Sequence, residues 1–492
     1  MRKLLVTLLI LITVGCANKA QVTPVAVQSS STPVTAQPSA TPVVDAPLSL
    51  MGKFSLSPDH GAEGTKVTAN GAGLAPNAKY DLVWSSVEGS WKLANNDTEY
   101  VGREYKPTEK ILGSVNTDAQ GDFQTTFVVP ADFGFQHDVL VRDGNVIRNK
   151  SGFDVDLQIS ISPKSGPVGT PITIEAKGIG WRQMENSWLV SYDNKFTGWL
   201  SAVTTKGYAK AVIPATGQPG VHEITVLHGD FTFPYLNMQQ SPEPDRPQFH
   251  IPFTVTEGTP VLPPDPATQS LLVKKGLPTQ NGAGISVEPQ EGIVGSQATV
   301  AGKTLPPNTE VELTWSSVTG NRVSGGGWEE HTRTLAKTKT DANGNLDWKL
   351  VVPDDLGGIH TIGLKAGDKD LGKTSFTIQP SAKKLSVDRG PSGTQFMIQL
   401  NGVGWTETAN IYNIVYDNAY AGYACGFNSG GNVQVFMRAS GAPGWHFIDL
   451  YPGIYKGKEK RPLDFRIPQL TFAADHPGES LPAFHFAFYI TK

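Results

Sequence analysis

Histidine is the first residue type in this 492-residue sequence that could do chemistry, because it recurs in register. His137, His222, His360 and His446 each follow a glycine at the head of a late strand, in Gly-x-His or Gly-x-x-His. An imidazole can act as a base or hold a metal. A metal site needs more His, Cys or carboxylate at ligand spacing, and none recurs beside these four. A histidine placed alike in every internal copy is therefore expected to bond nearby backbone. His250 and His485 match each other in two final strands. Phe249, Ile251, Phe253 and Val255 fill one face there, so His250 points to the other. A hairpin could bring His228 near His250, but Pro452 stands at the matching place in the second half, so a shared His–His metal site fails.

Carboxylates are weighed the same way. Asp341-Ala-Asn343-Gly-Asn345-Leu-Asp347 alternates oxygen side chains like a calcium loop, yet the twelfth position, which should carry a bidentate acid, is Val352. Gln120 and Gln124 occupy ligand places in its counterpart, so a hairpin turn is expected. Asp193-Asn194 and Asp417-Asn418 lie between strand-like runs where a two-residue turn fits. Glu329-Glu330-His331 reads as solvated surface in a variable loop. No nucleophile elbow, zincin helix, phosphate loop or haem motif occurs. No catalytic residue, metal site or cofactor is assigned, and the chain is expected not to be an enzyme.

Aromatic residues hold more promise. Trp199 and its counterpart Tyr423 follow the two Asp-Asn turns, and insertions at about 229–249 and 453–484 carry Phe231, Phe233, Tyr235, Tyr455, Phe465 and Phe472. Long loops on a rigid scaffold often bind, and flat rings stack on sugars or anchor proteins. Trp199, Tyr235, Tyr423 and Tyr455 are the ligand-binding candidates, for a surface glycan or an envelope protein. The competing reading is that the insertions fold back and cover the sheet edges.

The elements that would position these residues form a duplication. Gly166-Pro-Val-Gly169-Thr170 opens a strand, and related turns begin at Gly61, Gly292 and Gly390. Trp84-Ser-Ser-Val returns as Trp315-Ser-Ser-Val, Thr117-Asp118 as Thr340-Asp341, and Gly178-Ile-Gly180-Trp181 as Gly402-Val-Gly404-Trp405. Such steady spacing over a long stretch indicates an order A-B-A′-B′. Short alternating runs between glycine and proline turns, with no helical period, indicate all-β sandwiches with about seven strands per about 100 residues. The expected division is A over 51–156, B over 157–256 with an insertion, a linker at 257–283, A′ over 284–379, and B′ over 380–492 with an insertion. The change of spacing within A marks 91–110 as a variable loop.

Pro-x-x-Gly-x-x-Gly-Thr, a strand, Gly-x-Gly and a Pro-Asn turn resemble bacterial immunoglobulin-like domains of the IPT/TIG type. The resemblance covers A and A′ well and B and B′ less fully, with Val387 standing where B′ would carry the proline. It implies four tandem immunoglobulin-like sandwiches and an extracytoplasmic habit, and no activity.

The N-terminus points the same way. Arg2 and Lys3 precede an apolar run at 4–14 that is too short to span a bilayer as a helix. Thr13-Val14-Gly15-Cys16 resembles the processing site of bacterial lipoproteins, with Thr13 where leucine is usual. That resemblance implies a signal peptide at 1–15, acylation of Cys16 and a membrane as partner, and Ala17-Asn18 implies the outer membrane. Residues 16–50, rich in Pro, Thr and Ala, read as a disordered tether. With Cys16 acylated, Cys425 has no disulfide partner, and it reads as a buried, inert thiol. A formal charge of −4 disfavours a nucleic-acid partner. The expectation is a lipid-anchored cell-envelope protein with a structural or ligand-presenting role, or alternatively a carbohydrate-binding or adhesive one.

Overall fold

A computed structural model of the chain describes residues 48–230, 233–241, 243, 245–269, 284–320, 328–455 and 466–492. Cys16, the expected signal peptide, the tether up to residue 47, and Phe231 and Phe465 lie outside the described residues.

The described chain is all-β. In A, Lys53–Ser57, Lys66–Ala72 and Phe123–Val128 make a three-stranded sheet. It faces a second sheet in which His60–Gly61, Val146–Val155, Phe135–Asp143, Lys79–Ala94 and Glu99–Asn116 lie in that order. Alternate residues of Lys66–Ala72 are buried, as a strand with one face on a core requires. Leu56, Val67 and Phe127 from one sheet meet Trp84, Val139 and Phe153 from the other. Stretches B, A′ and B′ repeat this plan, each pairing a three-stranded sheet with a larger one. Trp84 and its counterpart Trp315 are both fully buried.

The repeated Gly-x-x-Gly-Thr motif has a local cause. Thr170 Oγ1 donates to the Pro167 carbonyl (2.6 Å), and Thr394 Oγ1 to that of Pro391 (2.7 Å). Ser296 Oγ does the same to Ile293 (2.7 Å). The residue before each hydroxyl is a glycine at positive φ, +83° at Gly169 and +91° at Gly393, a conformation open to glycine without penalty. The motif is a strand-opening turn.

Within each half the two sandwiches meet backbone to backbone. Gly134 N of A donates to the Ile179 carbonyl of B (3.1 Å), and Gly357 N of A′ to the Val403 carbonyl of B′ (3.1 Å); within B and B′ the receiving residues are braced alike, Ile179 N donating to the Gly207 carbonyl (3.0 Å) and Val403 N to that of Gly431 (3.0 Å). A Cβ at Gly134 would lie 1.7 Å from the Gly178 carbonyl oxygen, and one at Gly357 2.0 Å from that of Gly402. Such close approach leaves little room for A to swing against B.

Three expectations change. The expected variable loop is mostly hairpin, since Lys79–Ala94 pairs along Glu99–Asn116 and projects well past the sandwich. Residues 48–50, expected as tether, lie against A: Leu48 bridges Ile147, and Ser49 N donates to the Ile147 carbonyl (3.0 Å). The first part of the expected linker is also held. Val261 N donates to the Val168 carbonyl (2.9 Å), and the Gln269 side chain exchanges hydrogen bonds with the His485 backbone (3.0 and 2.7 Å). Residues 270–283 lie outside the described residues.

Candidate binding surface

The strand Lys195–Leu200 of B carries Trp199, the leading candidate for stacking on a ligand. The structure corrects that expectation, because Trp199 is 1% exposed. The B′ insertion runs beside it: Trp199 N donates to the Pro468 carbonyl (2.9 Å), and Leu470 N to the Trp199 carbonyl (3.0 Å). Its indole packs with Leu189 and Ile467, edge-on to Trp91 (6.5 Å, 85°) and beside the Arg103 guanidinium (5.0 Å). The ring closes a seam between the two halves, so it has no open face.

Asp475 is the polar centre of that seam and is 1% exposed. Its Oδ1 accepts from Trp91 Nε1 (3.0 Å), Thr204 N (2.9 Å) and Thr204 Oγ1 (2.8 Å), and its Oδ2 from Val203 N (2.8 Å). A buried carboxylate needs such donors to offset its lost hydration. Nearby, Ser201 N donates to Thr471 Oγ1 (2.9 Å), and Gln469 Nε2 to Ser201 Oγ (2.8 Å). Farther out, Tyr100 N donates to Glu407 Oε2 (2.8 Å), tying the tip of the A hairpin to B′. Asn418, at the B′ turn, donates to the Pro214 carbonyl (2.8 Å) and Thr216 Oγ1 (3.2 Å) of B.

Tyr423, the counterpart of Trp199, is 40% exposed. The structure brings it to Tyr455 (6.1 Å between ring centres), with the Arg466 guanidinium 5.5 Å and 4.7 Å from the two rings. The row continues through Phe427 (5.9 Å from Tyr455) and Trp328 (6.2 Å farther) to Trp405 (5.3 Å farther). Trp328 comes from the A′ hairpin and the rest from B′, so the row crosses the joint of the second half. Phe427 is buried; Trp328, Trp405 and Tyr455 are half-buried. Tyr235 is half-buried in the B insertion, and no described ring contact joins it to the other three candidates.

The four histidines take one pattern. Each Nε2 faces the carbonyl four residues back: Phe133 (2.9 Å), Gln218 (2.8 Å), Leu356 (2.7 Å) and Ala442 (2.8 Å). The Nδ1 of His137 and His360 faces the carbonyl of Ser85 (2.8 Å) and Ser316 (3.0 Å), whereas that of His222 and His446 faces a carboxylate, Asp193 (2.6 Å) and Asp417 (2.5 Å). Both Asp-Asn pairs form the expected turns, with φ of 49° and 63° at Asp193 and Asn194, and 46° and 59° at Asp417 and Asn418. His250 pairs with Glu223 (3.0 Å), and the register sets it opposite Thr225 rather than His228. Among the described residues no group of three or more His, Cys, Asp or Glu is placed to hold a metal.

Two of these histidines, His446 and His137, make stability pH-dependent. Around His446, burial and Lys195 oppose the charged ring, but the Asp417 hydrogen bond, its charge and the Ala442 carbonyl outweigh them, so the pKa is raised above 6.5. A raised folded value means stabilisation is full below the unfolded value and is lost as pH rises through the folded one. A His446→Gln variant is therefore expected to lose more melting temperature, relative to the parent, at about pH 5.5 than at about pH 9. Equal losses at both pH values would refute the charged pair. His137 has the opposite sign: burial holds its ring below the ordinary value, against Asp132 and two carbonyls. Its contribution is lost on acidification.

Asp475, Gln469 and Glu407 were not legible as interface residues, since none belongs to a repeated motif. The available signal was Ile467, Leu470 and Phe472, apolar residues in an insertion that would otherwise face water.

No protein-family model matches the chain, and no curated protein matches it. Among solved structures, it is similar to the α2-macroglobulin of E. coli (9% identity, TM-score 0.18, 88% of this chain and 30% of that one). It is also similar to invasin, a bacterial integrin-binding protein (11%, TM-score 0.17, 90% and 79%). A third is the ICAM-5 D1–D4 ectodomain fragment (11%, TM-score 0.18, 84% and 99%). The chain spans less than a third of the macroglobulin's length. Likenesses this slight carry nothing about partners. Its own sheets define the class: an all-β protein of immunoglobulin-like sandwiches. No helix among the described residues is long and apolar enough to cross a membrane.

Proposed function

We propose that this chain is a lipid-anchored cell-envelope protein with no reaction of its own, in which four immunoglobulin-like sandwiches form a stiff spacer presenting a surface beyond the membrane. The carrying observation is the seam, in which 467–475 of B′ lie on B and bury Trp199 and Asp475. An insertion laid across a neighbouring sandwich resists bending, whereas a binding loop would stand open. The N-terminal resemblance supplies the anchor at Cys16, and an outer-membrane location goes with it. Fractionation of cells expressing Cys16→Ala tests this. The parent is expected with the membranes and the variant in the aqueous fraction; a variant that stays with the membranes overturns the anchor.

The ring row on the second half favours a second reading, carbohydrate binding or adhesion, in which Tyr423 and Tyr455 stack on sugar rings and Arg466 bonds their hydroxyls. Trp199 no longer belongs to that site. A glycan array probed with the unlipidated Cys16→Ala chain is expected to give signals that Tyr423→Ala abolishes. An empty array, or signals indifferent to Tyr423, would remove this reading.

A further inference from the structure

Two bulges decide which aromatic residues share a face. In B′, Tyr420 lies opposite Val415 and Gly422 opposite Ile414, which leaves Ala421 unpaired. Residues three apart on an unbroken strand face opposite sides, and one extra residue turns Tyr420 and Tyr423 to the same side. They fall opposite Val415 and Asn413, two residues apart, and so stand roughly 7 Å apart along the strand. The B strand is bulged at the same place, with Phe196 opposite Ser191 and Gly198 opposite Val190. Phe196 and Trp199 therefore share a side as well, and the seam buries Trp199 while leaving Phe196 half-buried.

These positions join into one aromatic ridge across the seam. Phe233 of the B insertion meets Phe196 (5.4 Å between ring centres), and Phe196 meets Tyr420 of B′ (6.2 Å). Tyr423, one step farther along the strand, meets Tyr455 (6.1 Å). The Tyr420 hydroxyl donates to the Arg466 carbonyl (2.5 Å), and the guanidinium of that residue stands beside Tyr423 and Tyr455. Phe233 is 54% exposed and Tyr423 40%, whereas Phe196 and Tyr420 between them are half-buried. The ridge has an open platform on each side of the seam and an aromatic floor between the two.

We infer that this ridge binds an extended, unbranched polysaccharide lying across the seam from Phe233 to Tyr423. The inference rests on the carbohydrate reading above and names the class of its ligand. The steps along the ridge run from 5.4 Å to roughly 7 Å, so similar contacts recur at a similar interval. A ligand built of one repeated ring can make the same stacking contact at each step. A short sugar reaches one platform, whereas a chain reaches both. Once one end is stacked, the second contact is made within the complex, which strengthens binding by about 100-fold or more. The buried bonds of Asp475 hold B on B′, so the spacing of the platforms is set before the ligand arrives, and little ordering remains to oppose binding.

Calorimetric titration of the unlipidated Cys16→Ala chain with β-1,4-linked glucose and N-acetylglucosamine oligomers, from one unit to about six, tests the inference. Affinity is expected to climb about 100-fold from the disaccharide to the longest oligomer. Phe233→Ala is expected to flatten that climb, and Tyr423→Ala to remove binding at every length. Both side chains are exposed, so melting temperatures near the parent's serve as the folding control. Binding that needs Tyr423 but is the same at every length, or a climb indifferent to Phe233→Ala, would overturn the inference and leave the carbohydrate reading standing. No binding by any oligomer overturns the inference as well, while the reading itself stands or falls with the glycan array.

Discussion

Replacing Asp475 by alanine is expected to destabilise the junction of B and B′ by about 3–5 kcal/mol. The carboxylate is buried and receives four hydrogen bonds from Trp91, Val203 and Thr204. Bonds to a charged acceptor contribute about 1.5–3 kcal/mol each and do not add fully. Alanine removes them all and leaves two backbone amides and an indole N–H without an acceptor. Asp475→Asn should cost less, since it keeps one acceptor oxygen but turns an amide group toward donors. Urea unfolding followed by tryptophan fluorescence checks the energy, and trypsin cleavage after Arg466, at the head of the segment, checks the place. A loss under about 1 kcal/mol would mean that the seam is held elsewhere.

Trp199→Ala should have a comparable effect for a different reason. Deleting a buried indole removes its transfer free energy and leaves a cavity, together about 3–5 kcal/mol. Its counterpart makes a sharp control. Tyr423 occupies the same place in the repeat but is 40% exposed, so Tyr423→Ala should change stability by less than about 1 kcal/mol. Thermal melts of the two variants test the contrast. Similar losses would show that Tyr423 is also an interface residue in the isolated chain.

That contrast shows where sequence reading worked and where it stopped. The Gly-x-x-Gly-Thr turns, the Asp-Asn hairpins and the alternating strands were legible because their causes are local: a hydroxyl reaching back three residues, a residue type that accepts positive φ, a side-chain period of two. The strand-start histidines were legible in part. Their bond to the carbonyl four residues back is local, whereas the Asp partner of His222 and His446 was read only as a turn residue. Trp199 was misread because its repeat position carries no information about what covers it.

By itself, then, the sequence determined an all-β chain, its repeating turns and the alternation that puts one face of a strand on a core. These follow from interactions among near neighbours and from alternation along a strand. Only the tertiary structure decided which of two equivalent aromatic positions is buried and which stays open. That depends on Ile467, Gln469 and Asp475 arriving from another domain, as the bond between Ser201 and Thr471 does across 270 residues. No periodicity records a contact of that range, because it is set by how two folded surfaces fit.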